Sequence, residues 1–262
     1  MDLTRRTLVK VPEITALFWI TKLLTTAMGE STSDYLVNAV SPVLAVAVGT
    51  LVLLGVVAFQ VCQDRYIPWV YWLTVLLVAI VGTMAADVLH KQFGVSYAVS
   101  SVVFAVALAG VFLAWHRVEG TLSIHSVDTV RRELFYWAAV MATFAMGTAL
   151  GDYTASTLHL GYLASAFFFA GLILVPAIGY RWFGMNEVLA FWFAYILTRP
   201  LGASIADWLG KPKYRSGVGL GDGPVSLVFA LLIVVCVAAM TRTWRGPRAA
   251  TGRSEDVTGA VD

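Results

Sequence analysis

Four aspartates recur at one position of a repeated pattern, and aspartate is a residue type that can bind cations or carry protons. Each lies five residues after a glycine and fifteen residues after a tryptophan. The tryptophans are Trp19, Trp72, Trp137 and Trp192, the glycines are Gly29, Gly82, Gly147 and Gly202, and the aspartates are Asp34, Asp87, Asp152 and Asp207. This spacing has no gap in any copy, although consecutive copies begin 53, 65 and 55 residues apart. We therefore interpret the chain as four tandem copies of one unit.

The copies differ one helical turn before each aspartate, and this divergence favours a cation or proton site. On that face of the helix stand Glu30, Thr83, Thr148 and Ala203. Only the first copy therefore carries two carboxylates. Its polar face continues inward to Lys22, whose ammonium group either neutralises one of these carboxylates or extends to the cytoplasmic surface.

These side chains together form an all-oxygen ligand set. Such ligands suit hard cations such as Mg²⁺, Mn²⁺ or Ca²⁺ and do not select Cu or Zn. The candidate ligands are Glu30, Asp34, Asp87, Asp152 and Asp207, with supporting hydroxyls from Thr83, Thr148, Ser33 and Ser204. His90, one turn after Asp87, is either a proton relay or a solvated helix end. A bound divalent ion would be a substrate, and the sequence indicates no other cofactor.

The fourth copy adds Arg199 and Pro200 near the middle of its first helix. Arg199 lies eight residues before Asp207, which places it about 12 Å deeper along a helix. We expect it to pair with a carboxylate from another copy. Pro200 removes a helix hydrogen bond and frees the carbonyl of Ile196, as in helices that expose backbone oxygens inside a membrane.

The elements that position these residues are membrane helices. The chain is 59% hydrophobic and 13% charged, with a mean hydropathy of +0.78, which is too apolar for a water-soluble domain. Apolar windows long enough to cross a bilayer predict an all-α polytopic protein of eight helices, arranged as four parallel two-helix repeats. The predicted spans are 12–37, 42–61, 67–90, 96–115, 133–157, 161–180, 187–209 and 225–242. Clustered odd-numbered helices would bring the aspartates into a ring at one depth, with the glycines allowing close helix packing.

Basic residues are distributed unequally between the two sides of the predicted membrane domain. Twelve lie on the side of the amino terminus, namely Arg5, Arg6, Lys10, Arg65, Arg117, Arg131, Arg132, Arg181, Arg242, Arg245, Arg248 and Arg253. The other side carries Lys91, Lys211, Lys213 and Arg215. This bias predicts that both termini are cytoplasmic, with a tail at 1–10 and a disordered tail at 243–262. The predicted partners are the lipid bilayer, a small cation and protons, with no nucleic acid and with homo-oligomerisation left open.

The segments 11–36 and 191–209 contain a Gly-Glu-x3-Asp element and an Arg-Pro-Leu-Gly element, respectively. Through them the chain resembles a family of uncharacterised bacterial multi-pass membrane proteins built from four copies of a short repeat of unknown function. The resemblance covers residues 11–242 and implies a single eight-helix domain in the bacterial cytoplasmic membrane, with repeats at about 11–61, 66–116, 131–181 and 186–242. It implies no activity.

The residues favour a proton-coupled transporter, acting as an exporter of a hard divalent cation, over three alternatives. A passive cation or proton channel would need no divergence between copies. A membrane scaffold without transport is the second alternative, and flux measurements would distinguish it. An intramembrane aspartyl protease is suggested by Gly219-Leu220-Gly221-Asp222, which resembles a Gly-x-Gly-Asp element. Such proteases need a second membrane aspartate and a further helix carrying Pro-Ala-Leu, and no span remains to supply that helix. The stretch 211–224 is therefore better interpreted as a flexible external loop and the protein as no enzyme.

Overall fold

The computed structural model describes residues 9–243, and within them the chain forms eight α-helices joined by short connections. The helices are α1 (Ala16–Ala39), α2 (Pro42–Val61), α3 (Pro68–Lys91), α4 (Tyr97–Glu119), α5 (Val130–Asp152), α6 (Gly161–Trp182), α7 (Glu187–Gly210) and α8 (Asp222–Thr243). A π-helical turn, Tyr153–Thr157, extends α5. The predicted tails lie outside the described residues, except for residues 9 and 10 of the first and residue 243 of the second.

Local capping residues fix where the helices begin. Ser41 caps α2 and Ser96 caps α4 through side chains that accept backbone N–H groups. Pro68 opens α3, where a missing N–H has no helical partner to lose. The first helix starts four residues later than predicted because Thr15 Oγ1 accepts a hydrogen bond from the N–H of Phe18.

Seven helices of the described chain are long and apolar enough to cross a membrane. The exception is α1, which contains Lys22, Glu30 and Asp34 within its 24 residues. Its charged face is not exposed to lipid, because all three side chains are buried inside the protein. The fold is thus all-α and of membrane type.

The four odd-numbered helices form a closed inner ring in which each repeat glycine contacts the next helix of the ring. Gly29 of α1 lies against Ala79 of α3, and Gly82 of α3 lies against Phe144 of α5. The ring continues from Gly147 to Arg199 of α7 and closes from Gly202 to Thr26 of α1. In each case the partner stands three residues before that helix's own glycine. The glycines therefore allow the close approach that the sequence predicted.

Aromatic side chains close the same ring at a second level, near the beginnings of the odd-numbered helices. The residue before each repeat tryptophan packs on the tryptophan or aromatic residue of a neighbouring copy. The centroid distances are 5.6 Å for Phe18 and Trp72, 5.6 Å for Tyr71 and Trp137, 6.1 Å for Tyr136 and Trp192, and 5.7 Å for Phe191 and Trp19. The hydroxyls of Tyr71 and Tyr136 are hydrogen-bonded at 2.5 Å. This end of the ring is filled by side chains.

The even-numbered helices form an outer layer, and each packs mainly on the odd-numbered helix of the following copy. Helix α2 contacts α3, α4 contacts α5, α6 contacts α7, and α8 returns to contact α1. Contacts within a sequence repeat, such as those between α1 and α2, are fewer. The sequence repeat joins an odd-numbered helix to the even-numbered helix that follows it, whereas the packed pair in the structure joins an even-numbered helix to the odd-numbered helix of the next copy.

Candidate cation site on the axis of the inner ring

Arg199 lies at the centre of the ring and contacts all three other copies. Its side chain is completely buried, and its Nη2 donates hydrogen bonds to Glu30 Oε2 at 2.7 Å and to Thr148 Oγ1 at 2.6 Å. It also donates to Thr83 Oγ1, while Nη1 donates to the carbonyl of Thr26 at 3.0 Å. The predicted pairing of Arg199 with a carboxylate of another copy is confirmed. In the first three copies, the residues one turn before the aspartates thus accept hydrogen bonds from the guanidinium group of Arg199.

Pro200 lies inside α7, which remains one continuous helix from Glu187 to Gly210. Its ring packs beside Gly147 of α5, and its backbone lies next to Gly151 of the same helix. The small residues of α5 therefore make room for the Arg199-Pro200 segment of α7. This close packing fixes the position of the guanidinium on the axis.

Three carboxylates from the first and fourth copies converge beyond Arg199. Oxygen atoms of Glu30, Asp34 and Asp207 lie within 4.8 Å of one another, and all three residues are buried. Buried carboxylates so close together repel one another unless cations or protons neutralise them. The geometry is therefore that of a site for positive charge.

Lys211 supplies one such charge directly after the end of α7. Its Nζ lies 2.5 Å from Asp34 Oδ2, 3.4 Å from Asp222 Oδ2 and 3.8 Å from Asp207 Oδ1. Burial alone would lower the pKa of Lys211, but the carboxylates of Asp34, Asp207 and Asp222 outweigh burial and raise this pKa above its ordinary value. Lys211 is therefore an ammonium ion at neutral pH, and it neutralises part of the negative charge of these carboxylates.

Lys91 connects the second copy to this cluster. Its Nζ lies 2.8 Å from Asp87 Oδ2 and 3.7 Å from Asp34 Oδ1, and nearly half of its side chain is exposed. Asp152 is half-buried at the end of α5 and lies within electrostatic range of Glu30 and Asp87. The structure thus joins Asp34, Asp87 and Asp207 through two lysines and places Asp152 nearby, without a direct contact of all four aspartates.

Lys22 adopts neither of the two arrangements that the sequence suggested. Its Nζ is buried, so it does not reach a membrane surface, and it has no hydrogen-bond partner in the described chain. It lies 3.9 Å from the ring centroid of Phe144 and 4.1 Å from that of Tyr195. Both predictions for Lys22 are wrong because Arg199, which bonds to Thr26 and Glu30, is the cation that pairs with the carboxylate.

The remaining candidates lie at the edge of this arrangement. His90 Nδ1 is 2.8 Å from the carbonyl of Val95, and its ring stacks on Tyr97 at 3.7 Å. These contacts hold His90 against the loop after α3. Ser33 and Ser204 are buried, and their hydroxyls have no hydrogen-bond partner within residues 9–243. These two buried hydroxyls stand close in sequence to Asp34 and Asp207 and have hydrogen-bonding capacity that the described residues do not use.

The sequence interpretation missed three residues of the cluster, namely Lys91, Lys211 and Asp222. The lysines follow Asp87 and Asp207 by four residues, a spacing that favours ion pairs and could have identified them. Residues 211–221 form a connection outside the α-helices, as predicted, whereas the last three residues of the predicted loop belong to α8. Val218 N–H donates to the carbonyl of Trp208 at 2.6 Å, Leu220 N–H to that of Leu209 at 3.0 Å, and Asp222 already begins α8.

The fold and the site define a helical membrane-type protein with four tandem repeats and a buried, charged axis. The chain belongs to the family defined by a Repeat of Unknown Function (DUF347), whose pattern matches residues 17–66, 70–121, 135–185 and 190–245. These four matches confirm the predicted number of repeats. No curated protein and no solved structure matches the chain.

Proposed function

We propose that this protein transports a hard divalent cation of the Mg²⁺ and Mn²⁺ class across the bacterial cytoplasmic membrane in exchange for protons. It acts as a transporter and not as an enzyme, with eight spans and both termini in the cytoplasm. The distribution of Lys and Arg supports this orientation. The inward proton gradient of such a membrane would drive the cation outward, so the proposed direction is export.

The observation that carries the proposal is the convergence of Glu30, Asp34 and Asp207. Their oxygens lie within 4.8 Å of one another. Oxygens on opposite sides of a cation bound at 2.3 to 2.6 Å are about 5 Å apart, and those around Mg²⁺ are about 4 Å apart. The hydroxyls of Ser33 and Ser204, which stand on the same helices as Asp34 and Asp207 and have no hydrogen-bond partner within residues 9–243, are the neutral oxygen ligands that we propose beside them.

Lys211 gives this site a mechanism of exchange. Its ammonium group lies between Asp34, Asp207 and Asp222 and neutralises part of their charge. A divalent cation that binds the same carboxylates must displace it. The side chain of Lys211 keeps a small fraction of its surface exposed, so it can move toward water while remaining attached to α7. In this mechanism the carboxylates bind either the ammonium group of Lys211 or the transported divalent cation, but not both at once.

The deeper part of the axis favours a transporter over a passive channel. Arg199 lies completely buried beyond the acidic cluster, and a fixed cation in a narrow passage repels other cations. The aromatic level that includes Tyr71 and Tyr136 then fills the end of the ring. A divalent ion can cross only if the helices of the ring rearrange, and such rearrangement is the property that distinguishes a carrier from a pore.

Flux in reconstituted vesicles tests the proposal. Purified protein is placed in liposomes with a Mn²⁺-sensitive dye inside, and Mn²⁺ entry is recorded with and without a pH gradient of appropriate sign. We expect wild-type flux to be accelerated at least tenfold by the gradient. Asp34→Asn removes one charge from the cluster and should reduce this flux to the level of empty liposomes, as should Asp152→Asn to a smaller extent.

Asp64→Asn is the matched control, because Asp64 is exposed in the connection between α2 and α3. It should transport like the wild type. Flux that ignores the pH gradient would indicate a passive channel, and absence of flux in the wild type would indicate a scaffold. Unchanged flux in both Asp34→Asn and Asp152→Asn would exclude the carboxylate cluster as the site.

A further inference from the structure

Lys22 is a buried basic group that the acidic cluster does not use. Its side chain is 1% exposed, and its Nζ has no hydrogen-bond acceptor within the described part of the chain. An ammonium ion without an acceptor loses several kcal/mol of hydration that nothing polar replaces. A structural role alone gives no reason to keep a lysine here, because methionine would fill the same space.

The surroundings of Lys22 are suited to an amine that changes its protonation state. The centroids of the Phe144 and Tyr195 rings lie 3.9 Å and 4.1 Å from Nζ, and both rings stabilise a positive charge there by cation–π interaction. The uncharged amine is compatible with the same apolar pocket because it has little hydration to lose. Both forms can therefore occupy one position without a rearrangement of their neighbours.

Arg199 is the charged group next to Lys22 and connects it to the acidic cluster. The two cations interact electrostatically, and the Phe144 ring lies close to both, at 5.3 Å from Arg199 Cζ. The neighbouring titratable group on α7 is the hydroxyl of Tyr195, and α5 contributes the uncharged Phe144. Glu30 pairs with Arg199, and no hydrogen bond joins Lys22 to Glu30 within the described residues.

We propose that Lys22 is the proton-carrying group that couples proton movement to cation transport, and this inference rests on the proposed function. When a divalent cation binds the oxygens of Glu30, it weakens the ion pair that compensates Arg199. The net positive charge near Lys22 rises, and when the ring helices rearrange during transport and admit water, the ammonium gives its proton to a water molecule, which leaves a free amine and a hydronium ion. When the cation leaves, the amine accepts a proton from water. Only an N–H bond breaks and forms, and one proton moves per cycle at this group.

The test separates coupling from cation binding by measuring two kinds of flux in liposomes. Exchange of isotopically labelled Mn²⁺ for unlabelled Mn²⁺ at equal pH requires the site but no proton movement. Accumulation of Mn²⁺ against its gradient, driven by a pH difference, requires both. In Lys22→Met, the rate of Mn²⁺ exchange should stay within about twofold of the wild-type rate. The pH-driven accumulation of Mn²⁺ should fall at least tenfold. Lys213→Met, which changes an exposed lysine, should retain both.

Lys22→Arg provides a second variant if the methionine variant does not fold. An arginine cannot release its proton under these conditions, so it should show the same separation of exchange from accumulation. Accumulation at the wild-type level in either folded variant would overturn the proposal. Loss of both fluxes in a folded variant would also overturn it, because Lys22 would then belong to the route of the cation. If the wild type shows neither flux, the proposed function itself fails.

A third measurement uses the wild type in detergent. Addition of Mn²⁺ in weak buffer should release protons that a pH-sensitive dye detects. The release should be smaller by about one proton per molecule in Lys22→Arg, and an equal release in both proteins would contradict the assignment.

Discussion

The two ends of the inner ring are built from the same repeat but carry opposite chemistry. At one end the residues next to the tryptophans remain large and aromatic in all four copies and close the ring by apolar packing. At the other end the residues around the aspartates have diverged, and buried carboxylates are balanced by lysines and one arginine. Repetition thus builds the closed end, whereas divergence between the copies builds the charged end.

Arg199 marks the boundary between the two ends, and its removal should have the largest effect. Arg199→Ala leaves Glu30 buried without its cation and removes donors to Thr83 and Thr148. Breaking a buried ion pair costs about 3 to 5 kcal/mol. We expect a large loss of folded protein, measured as the unfolding temperature and the monodisperse yield in detergent.

Two further variants make this result specific. Arg181→Ala changes an exposed arginine and should behave like the wild type. The double variant Arg199→Met with Glu30→Leu removes both charges and should recover most of the stability, although not transport. If Arg199→Ala alone unfolds at the wild-type temperature, the guanidinium group of Arg199 does not stabilise the packing between the aromatic and charged ends of the ring.

Close packing at the boundary can be tested through Gly147. A side chain at this position would overlap Arg199 and Pro200, so Gly147→Leu forces α5 and α7 apart. Overpacking of this kind costs about 3 kcal/mol. Gly110→Leu on the outer helix α4 is the control, because a Cβ there meets no atom within 4 Å. Equal unfolding temperatures for both variants would contradict the closed ring.

Glu133 is the buried acid of the aromatic end and is held by neutral and charged partners. It accepts hydrogen bonds from Lys10 and Gln60, both at 2.9 Å, and from Trp137 at 3.4 Å. Glu133→Gln removes the charge and should cost about 2 kcal/mol, because Lys10 is buried as well. Glu187→Gln is the exposed control. If Glu133→Gln lowers Mn²⁺ flux strongly but leaves the unfolding temperature unchanged, the aromatic end of the ring also takes part in transport, and the functional residues are not confined to the charged end.

Lys91 should show the smallest effect. Its ion pairs with Asp87 and Asp34 are partly exposed, and exposed pairs contribute less than about 1 kcal/mol. Lys91→Met should therefore shift the unfolding temperature by a few degrees at most. Lys211→Met, by comparison, should shift it more, since Lys211 is more deeply buried. The reverse order would show that Lys91 is the main cation of the cluster.

The repeats, the helices and the closed ring follow from residues that a sequence makes visible. The apolar windows predict helix position because backbone groups must be paired in lipid, and the tryptophan, glycine and aspartate spacing predicts which helices are equivalent. The partner of Arg199 was predictable as a carboxylate of another copy, but which carboxylate it contacts depends on the angle of each helix in the ring. The surroundings of Lys22 were not predictable, because Lys22 and Glu30 share one face of α1 and only the structure shows that Arg199 is the residue that pairs with Glu30.

The return of α8 to α1 has a consequence for biosynthesis. Helix α1 is made first, yet it carries three charged residues and is the helix least able to enter lipid alone. Its covering helix and the arginine that neutralises Glu30 emerge from the ribosome only with the last quarter of the chain. Until the fourth repeat has been made, the charged side chains of α1 therefore lack the partners that bury and neutralise them in the folded protein.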